Sequence, residues 1–277
     1  LYDLLDALID FDESGEESLI GTISHDEGES SLSFTDTRDW SEALQVARDG
    51  FTEIRPLVDA ITNAITTEVV AREVPRVKRR NVIAGGAVNV GRVMTGAPKC
   101  FTQYSRVMSP GVARVLRIAV SVSNVAAVNN AMIRARGAAI VSLVDALTRK
   151  GWACEVWACA ASEVMGSAAV VSTEVCIQQA SAPLDVDSLM FQLAHPAMFR
   201  RLVFAERERN GAHVRPLGMR SAGNSSSVNP YDDGTYDLVI KGIDGNNTSR
   251  YPTTTEEWAL QVEHWMREAT EERTGAA

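Results

Sequence analysis

The sequence is poor in the residues that most often carry chemistry. It has four cysteines and four histidines in 277 residues, and aromatics make up 6%. Cys100, Cys154, Cys159 and Cys176 form no C-x-x-C pair, and no histidine stands at metal-ligand spacing from any of them. That removes the zinc-ribbon and thioredoxin patterns. Cys154, Cys159 and Cys176 sit in apolar runs, where a thiol acts as a small buried hydrophobe in a reducing compartment. His25, His195, His213 and His264 are scattered, so spacing suggests no Ser/His/Asp or Cys/His set. No apolar run approaches the ~18 residues of a membrane helix, and no signal-peptide pattern is read at the start. The chain begins at Leu1 rather than Met, as a fragment does. Together these features predict a cytoplasmic protein.

Positive charge is nearly missing from the first fifty positions, which hold fourteen Asp/Glu against two Arg, a net of −12. The whole chain carries −9, so the other 227 residues carry +3. The chain as a whole is therefore not a basic nucleic-acid binder, and the imbalance marks an acidic arm. The stretch "DFDESGEESLIGTISHDEGESS" has too little apolar surface to offset its ordering entropy, and residues 1–36 read as an acidic, largely disordered arm.

What is present is a chain long enough to bury a sizeable core. "TRDWSEALQVARDGF" (37–51) repeats apolar residues at helical spacing, and "IRPLVDAITNAITTEVV" (54–70) does so again. "REVPRVKRRNVIAGGAVNVGRVMTGAPKCF" (72–101) breaks often and reads as a connector with short strands. Residues 37–111 are thus expected to form a helical and Gly-rich extension packing on a main domain of 112–277. In that domain a β-branched strand near 115–122 is followed by a helix of about five turns with Ile133, Gly137, Ile140, Val141, Val144 and Leu147 in its apolar stripe. Strands at 153–160, 169–179 and 236–243, two short helices in 184–211 and a terminal helix at 253–273 complete the order. The long crossover predicts that strand 153–160 runs parallel to the first strand. The short connection after it predicts an antiparallel edge at 169–179, and strand 236–243 should be parallel again. The expected fold class is α/β: a doubly wound, mostly parallel sheet with one antiparallel edge strand. Asp185 or Asp187 should cap the first short helix, His195 before Pro196 the second, and Thr254 with Glu257 the last. Trp258, Val262 and Trp265 are the expected buried stripe of the last helix.

This order of elements over residues 112–270 resembles the von Willebrand factor A domain. That family binds a divalent cation through Asp-x-Ser-x-Ser after its first strand and a carboxylate from a later turn. Here the motif falls on Ser121-Val122-Ser123-Asn124-Val125, where only Ser123 fits, and the later turn offers Asp244 before Gly245. The resemblance therefore implies a degenerate, metal-free site at Ser121, Ser123, Asn124 and Asp244. In a second resemblance, "DWSEALQVARDGF", "GGAVNVGRVMTGAP" and "RGAAIVSLVDALTRKGWACEVWA" look like an uncharacterised family of bacteriophages and prophages. It implies origin and context, the cytoplasm of a bacterial host cell, and no activity.

Three further stretches have both a chemical and a plain reading. "GGAVNVG" (85–91) is not G-x-G-x-x-G and opens no long helix, so turn chemistry is favoured over a phosphate cradle. The basic cluster Arg72, Arg76, Lys78, Arg79 and Arg80 suits phosphate contacts, but a solvated loop or pairing with the acidic arm is favoured. Asp232, Asp233 and Asp237 lie close together, but Asp-Asp-Gly is first a turn signal. The expected function is a non-catalytic, macromolecule-binding accessory protein of phage or prophage origin that needs no cofactor and has a protein as its partner. The first alternative is a nucleic-acid-binding factor in phage replication or transcription, acting through residues 72–80. The second is a metal-dependent hydrolase or nuclease using Asp232, Asp233 or Asp244.

Overall fold

Where the apolar period changes from about two to about 3.6, the backbone changes from strand to helix. The computed structural model describes residues 29–66, 73–110, 115–124, 128–163, 170–209, 226–228, 234–243 and 251–271. Its helices are α1 (Glu29–Thr35), α2 (Trp40–Asp49), α3 (Arg55–Ala64), α4 (Val90–Met94), α5 (Asn130–Arg149), α6 (Val186–Ala194), α7 (Phe204–Arg209) and α8 (Thr255–Glu271). Its strands are β1 (Glu73–Val82), β2 (Ala87–Val88), β3 (Phe101–Pro110), β4 (Val115–Ser121), β5 (Ala153–Glu163), β6 (Val170–Gln178), β7 (Ser226–Val228) and β8 (Leu238–Ile240). A 3-10 turn, Thr52–Ile54, precedes α3, and a π-helical segment, Met198–Val203, precedes α7. The chain divides into two compact units, Leu1–Glu68 with Val115–Ala277, and Val69–Arg114.

The larger unit is a mixed α/β structure. β4 lies between β5 and β8 and runs parallel to both, while β6 pairs antiparallel with β5. These are the directions that the connector lengths predict. β7, which sequence reasoning did not find, also pairs antiparallel with β5, at its carboxyl end. Leu116, Ile118 and Val120 of β4 share a buried row with Cys154, Val156 and Ala158 of β5. The Thr148 hydroxyl of α5 lies 4.0 Å from the Cys154 sulfur, so this row faces α5. The opposite row is open at its start, where Arg117 and Glu155 pair at 3.4 Å, and closes towards Ala119, Ser121 and Cys159, which are buried.

Helix α5 is the hub of this unit. It is buried nearly all round from Arg136 to Leu147, and α1, α3, α6 and α8 all pack against it. The Ser142 hydroxyl reaches the Val58 carbonyl of α3 at 3.1 Å. Glu263 of α8 accepts from both the backbone N–H and the hydroxyl of Thr66 at the exit of α3. Helix α3 stops at Ala64, short of residue 70, and Ile65 is extended. The sequence there turns to β-branched Ile65, Thr66 and Thr67, which weaken a helix. Residues 1–28 of the acidic arm lie outside the described residues, and residues 29–35 form α1. In α8, Trp258 and Val262 are buried as expected, but Trp265 is only half-buried, and Met266 and Ala269 complete the stripe. The Thr254 and Glu257 capping box forms, with Glu257 accepting from the Thr254 N–H at 3.2 Å and Thr254 from the Glu257 N–H at 3.2 Å.

Residues 69–114 are more regular than a connector. β1 and β3 pair antiparallel over ten residues each, and β2 joins the other side of β3. The ladder pairs residues from Val82 with Phe101 out to Glu73 with Pro110, and a local reading of broken periodicity does not see such a pairing. Gly86 makes the turn into β2 at φ +79, and a Cβ there would lie 2.0 Å from the Thr102 carbonyl oxygen.

The tightest approach in the larger unit is between α5 and α6 at Gly137. A Cβ built there would sit 2.3 Å from the Ala194 Cα and 2.5 Å from the Leu193 oxygen. Gly137→Ala gains about 1 kcal/mol of helix propensity but forces two backbones apart, at about 1–3 kcal/mol or more. A net loss of stability in urea denaturation is expected, and a neutral or stabilising result would contradict this packing.

Candidate binding site at the strand ends

Buried polar side chains converge at the carboxyl end of β4, where open parallel sheets bind their ligands. Arg136 projects from the first third of α5 and is 4% exposed. One of its terminal nitrogens donates to three carbonyls, those of Ser121 at 3.0 Å, Lys241 at 2.7 Å and Ile240 at 3.4 Å. It thus ties the end of β4 to the end of β8. Burial pushes its pKa down to about 10, and it remains charged at neutral pH. Its Nε and other terminal nitrogen have no hydrogen-bond partner among the described residues.

Arg136 lines a small cavity with Asn124, Gln192, His195 and Arg200, walled by Ile133 and Phe199. About 10 Å³ of it is open to a water molecule's centre, room for one water or the tip of a polar group. Gln192 of α6 is 2% exposed and donates to the Ser188 hydroxyl at 2.6 Å, while its Oε1 is buried without a partner among the described residues. The Asn124 Oδ1 is likewise buried without a partner, its amide nitrogen donating to the Val122 carbonyl at 3.1 Å. The site therefore presents free donors on Arg136 and free acceptors on Gln192 and Asn124. A buried polar group left unmade costs about 1–3 kcal/mol, so these groups favour an occupant that both donates and accepts.

The rest of the site is held by two more buried arginines. Arg200 is 2% exposed, lies 4.2 Å over the Phe34 ring, and donates to the Phe34 and Val128 carbonyls at 2.7 and 2.9 Å. Arg201 is fully buried and donates to the Thr37 hydroxyl at 2.7 Å and the Thr37 carbonyl at 3.1 Å. His195 follows α6 and caps the next helical stretch, its Nδ1 accepting from the Ala197 N–H at 3.1 Å. It is packed between the Phe191 and Phe51 rings at 5.3 and 4.7 Å. Burial pushes its pKa down to about 4; Asp36 and Glu42 raise it and Arg134 lowers it.

The structure places the sequence-predicted residues unevenly. Ser121 is fully buried and its hydroxyl has no partner among the described residues. Ser123 is buried and donates to the Ala161 carbonyl at 3.4 Å. Asp237 is committed to the β4 backbone, its carboxylate accepting from the Arg117 N–H and its own N–H donating to the Arg117 carbonyl, both at 2.8 Å. Arg76, Lys78, Arg79 and Arg80 belong to β1, in the other unit. Arg72, Asp232, Asp233 and Asp244 lie outside the described residues. Sequence reasoning missed Arg136, Gln192, Arg200 and Arg201. The signal was present for three of them: Arg136 stands three residues after Ile133 on the apolar stripe, and Arg200 and Arg201 interrupt the run from Phe199 to Phe204.

A family described as a domain of unknown function, DUF7192, matches residues 1–250. The chain belongs to the DUF7192 family. No curated protein and no solved structure matches it. Among the described residues, no helix is long and apolar enough to cross a membrane.

Two outcomes test the site. The unfolded chain protonates a histidine near pH 6.5 and the folded chain protonates His195 near 4. Between those values the unfolded state binds more protons, so the His195 contribution is complete above about 6.5 and is lost as the pH falls towards 4. His195→Asn keeps an acceptor for the Ala197 N–H and removes the titration. Between pH 7 and pH 4, wild-type unfolding free energy should fall by about 3 kcal/mol more than that of the variant, as read by urea denaturation; equal slopes would refute the assignment. The second outcome concerns metal. The Arg136 guanidinium already takes the strand-end carbonyl oxygens and repels a second cation. Millimolar Mg²⁺, Mn²⁺ or Ca²⁺ is therefore expected to leave the melting temperature unchanged. Binding at a hundred times Kd would add roughly 2.7 kcal/mol, and a shift of that size that Asp244→Ala abolishes would overturn the metal-free reading.

Proposed function

We propose that this DUF7192 chain is a non-catalytic accessory protein of phage or prophage origin, acting in the host cytoplasm. Its larger unit is a doubly wound, von Willebrand A-like domain with a degenerate, metal-free site. It recognises a partner protein through the carboxyl ends of its parallel strands. The observation that carries this reading is Arg136, a buried guanidinium that is bonded to three strand-end carbonyls and also lines the cavity. Such a group positions and discriminates, since it neither accepts nor releases a proton near neutral pH.

The groups around it support binding over catalysis. The His195 Nδ1 is occupied by the Ala197 N–H, and its low pKa keeps the ring neutral. Burial pushes the Cys159 thiol up to about 12, with Glu174 adding to the shift, so it is not a thiolate nucleophile. The connectivity supports the von Willebrand A likeness: a central parallel strand, a long crossover helix, a second parallel strand and an antiparallel edge.

The reading is tested by filling the cavity from within. Gln192→Arg adds bulk and charge beside Arg136. In a pull-down from phage-infected cells, wild type is expected to retain one stoichiometric partner, and the variant is expected to lose it by tenfold or more while melting as a folded protein. If the same partner is retained on a folded Gln192→Arg chain, the strand-end cavity is not the recognition site.

A further inference from the structure

The smaller unit carries a different function. We infer that Val69–Arg114 is a binding module for single-stranded nucleic acid, independent of the strand-end site.

The first argument is charge. Residues 69–114 hold nine Lys/Arg and one Glu, a net of +8, in a chain whose total is −9. The basic residues extend well beyond the run at 76–80, to Arg92, Lys99, Arg106 and Arg114. Folding gathers them: the register sets Arg80 opposite Gln103, Arg79 opposite Tyr104 and Val77 opposite Arg106. Directly opposed positions of an antiparallel ladder share a face, so Arg79, Tyr104 and Arg106 fall on one face of the sheet, and Arg76, Lys78 and Arg80 on the other. Like charges at this density repel one another, and a polyanion with released counterions relieves that repulsion.

The second argument is the apolar surface among these charges. Tyr104 is 62% exposed in the middle of β3, and Ile83, Val88, Val90 and Met94 are all more than half exposed. Six of the nine exposed large hydrophobics among the described residues belong to this unit. A solvated loop that merely carries charge has no need of them. A sheet that exposes an aromatic among cations matches the way single strands are held, with bases stacked on a ring and phosphates on the basic groups. Duplex DNA hides its base faces and would leave Tyr104 unused, which selects the single strand.

The experiment uses the full chain and fluorescence anisotropy with a labelled single-stranded DNA of twenty nucleotides. The same oligonucleotide as a duplex and poly-glutamate serve as competitors. Binding is expected at 50 mM NaCl, weakening along a straight line in log salt. Arg79→Ala and Arg106→Ala together should lower the slope by about 1.4, at about 0.7 per phosphate contact. Tyr104→Ala should weaken binding about tenfold and leave the slope unchanged, as loss of a stacked base does. Circular dichroism of each variant confirms that it is folded. The inference is overturned by absence of binding at 50 mM NaCl, or by poly-glutamate competing as well as the single strand, which would mark an acidic protein segment as the ligand. It is also overturned by tighter binding of the duplex, or by a Tyr104→Ala chain that binds as wild type does. Because Gln192 is untouched in these variants, failure here leaves the strand-end reading standing, and the converse holds.

Discussion

A guanidinium taken out of water has to find acceptors, and three of them govern how the larger unit is put together. The desolvation of such an ion costs several kcal/mol even after relaxation, so a buried arginine persists only where fixed oxygens surround it. Arg136 finds them at the ends of β4 and β8, Arg200 in the carbonyls of Phe34 and Val128, and Arg201 in Thr37. All of these bonds except that of Arg136 to Ser121 join segments far apart in sequence, and two of the three arginines hold residues 34–37 against the segment that follows α6. Replacing any one by an apolar residue would strand buried carbonyl or hydroxyl oxygens, which explains why these positions are not simply leucine. The segment after α1 is therefore part of the domain's interior, although its neighbours in sequence are acidic.

The same constraint shapes the site. Parallel strands end with carbonyls pointing out of the sheet, and something positive or protic has to meet them. A divalent ion held by carboxylates is one solution. This chain uses Arg136, reached from the hub helix, and the first-strand positions are left with uncharged Ser121, Ser123 and Asn124. The substitution changes what the site can do. A guanidinium does not lower the pKa of a bound water as a divalent ion does, but it offers directed donors for a carbonyl, carboxylate or hydroxyl of a partner.

The strand directions were legible because they follow from connector length: a twenty-residue helix allows a parallel crossover and a short turn does not. The caps were legible because they are local, as Asp185 accepting from the Ser188 N–H and Thr254 with Glu257 show. The site was legible only in its address. Ser121 to Asn124 mark where β4 ends, but the groups with unmet hydrogen bonds come from α5 and α6, and only packing brings them there. A charged residue inside an apolar stripe is the sequence trace of such a group, and Arg136, Arg200 and Arg201 all leave it. The β1–β3 ladder left a weaker trace, because its two halves meet across α4 and two glycine turns.

Charge is partitioned between the two units in opposite senses, +8 on residues 69–114 and so −17 on the rest. That partition gives the two proposed binding functions different physics. The basic sheet meets its ligand at the surface, where screening acts within about 8 Å at physiological salt, so its affinity is set by ionic strength. The strand-end cavity is lined by buried side chains, and its hydrogen bonds form in a lower dielectric where salt screens less. An anionic strand approaching the molecule is repelled by most of the chain and attracted by one small part of it. The two proposed ligands would therefore differ in how their binding answers to salt, the strand's strongly and the partner protein's weakly.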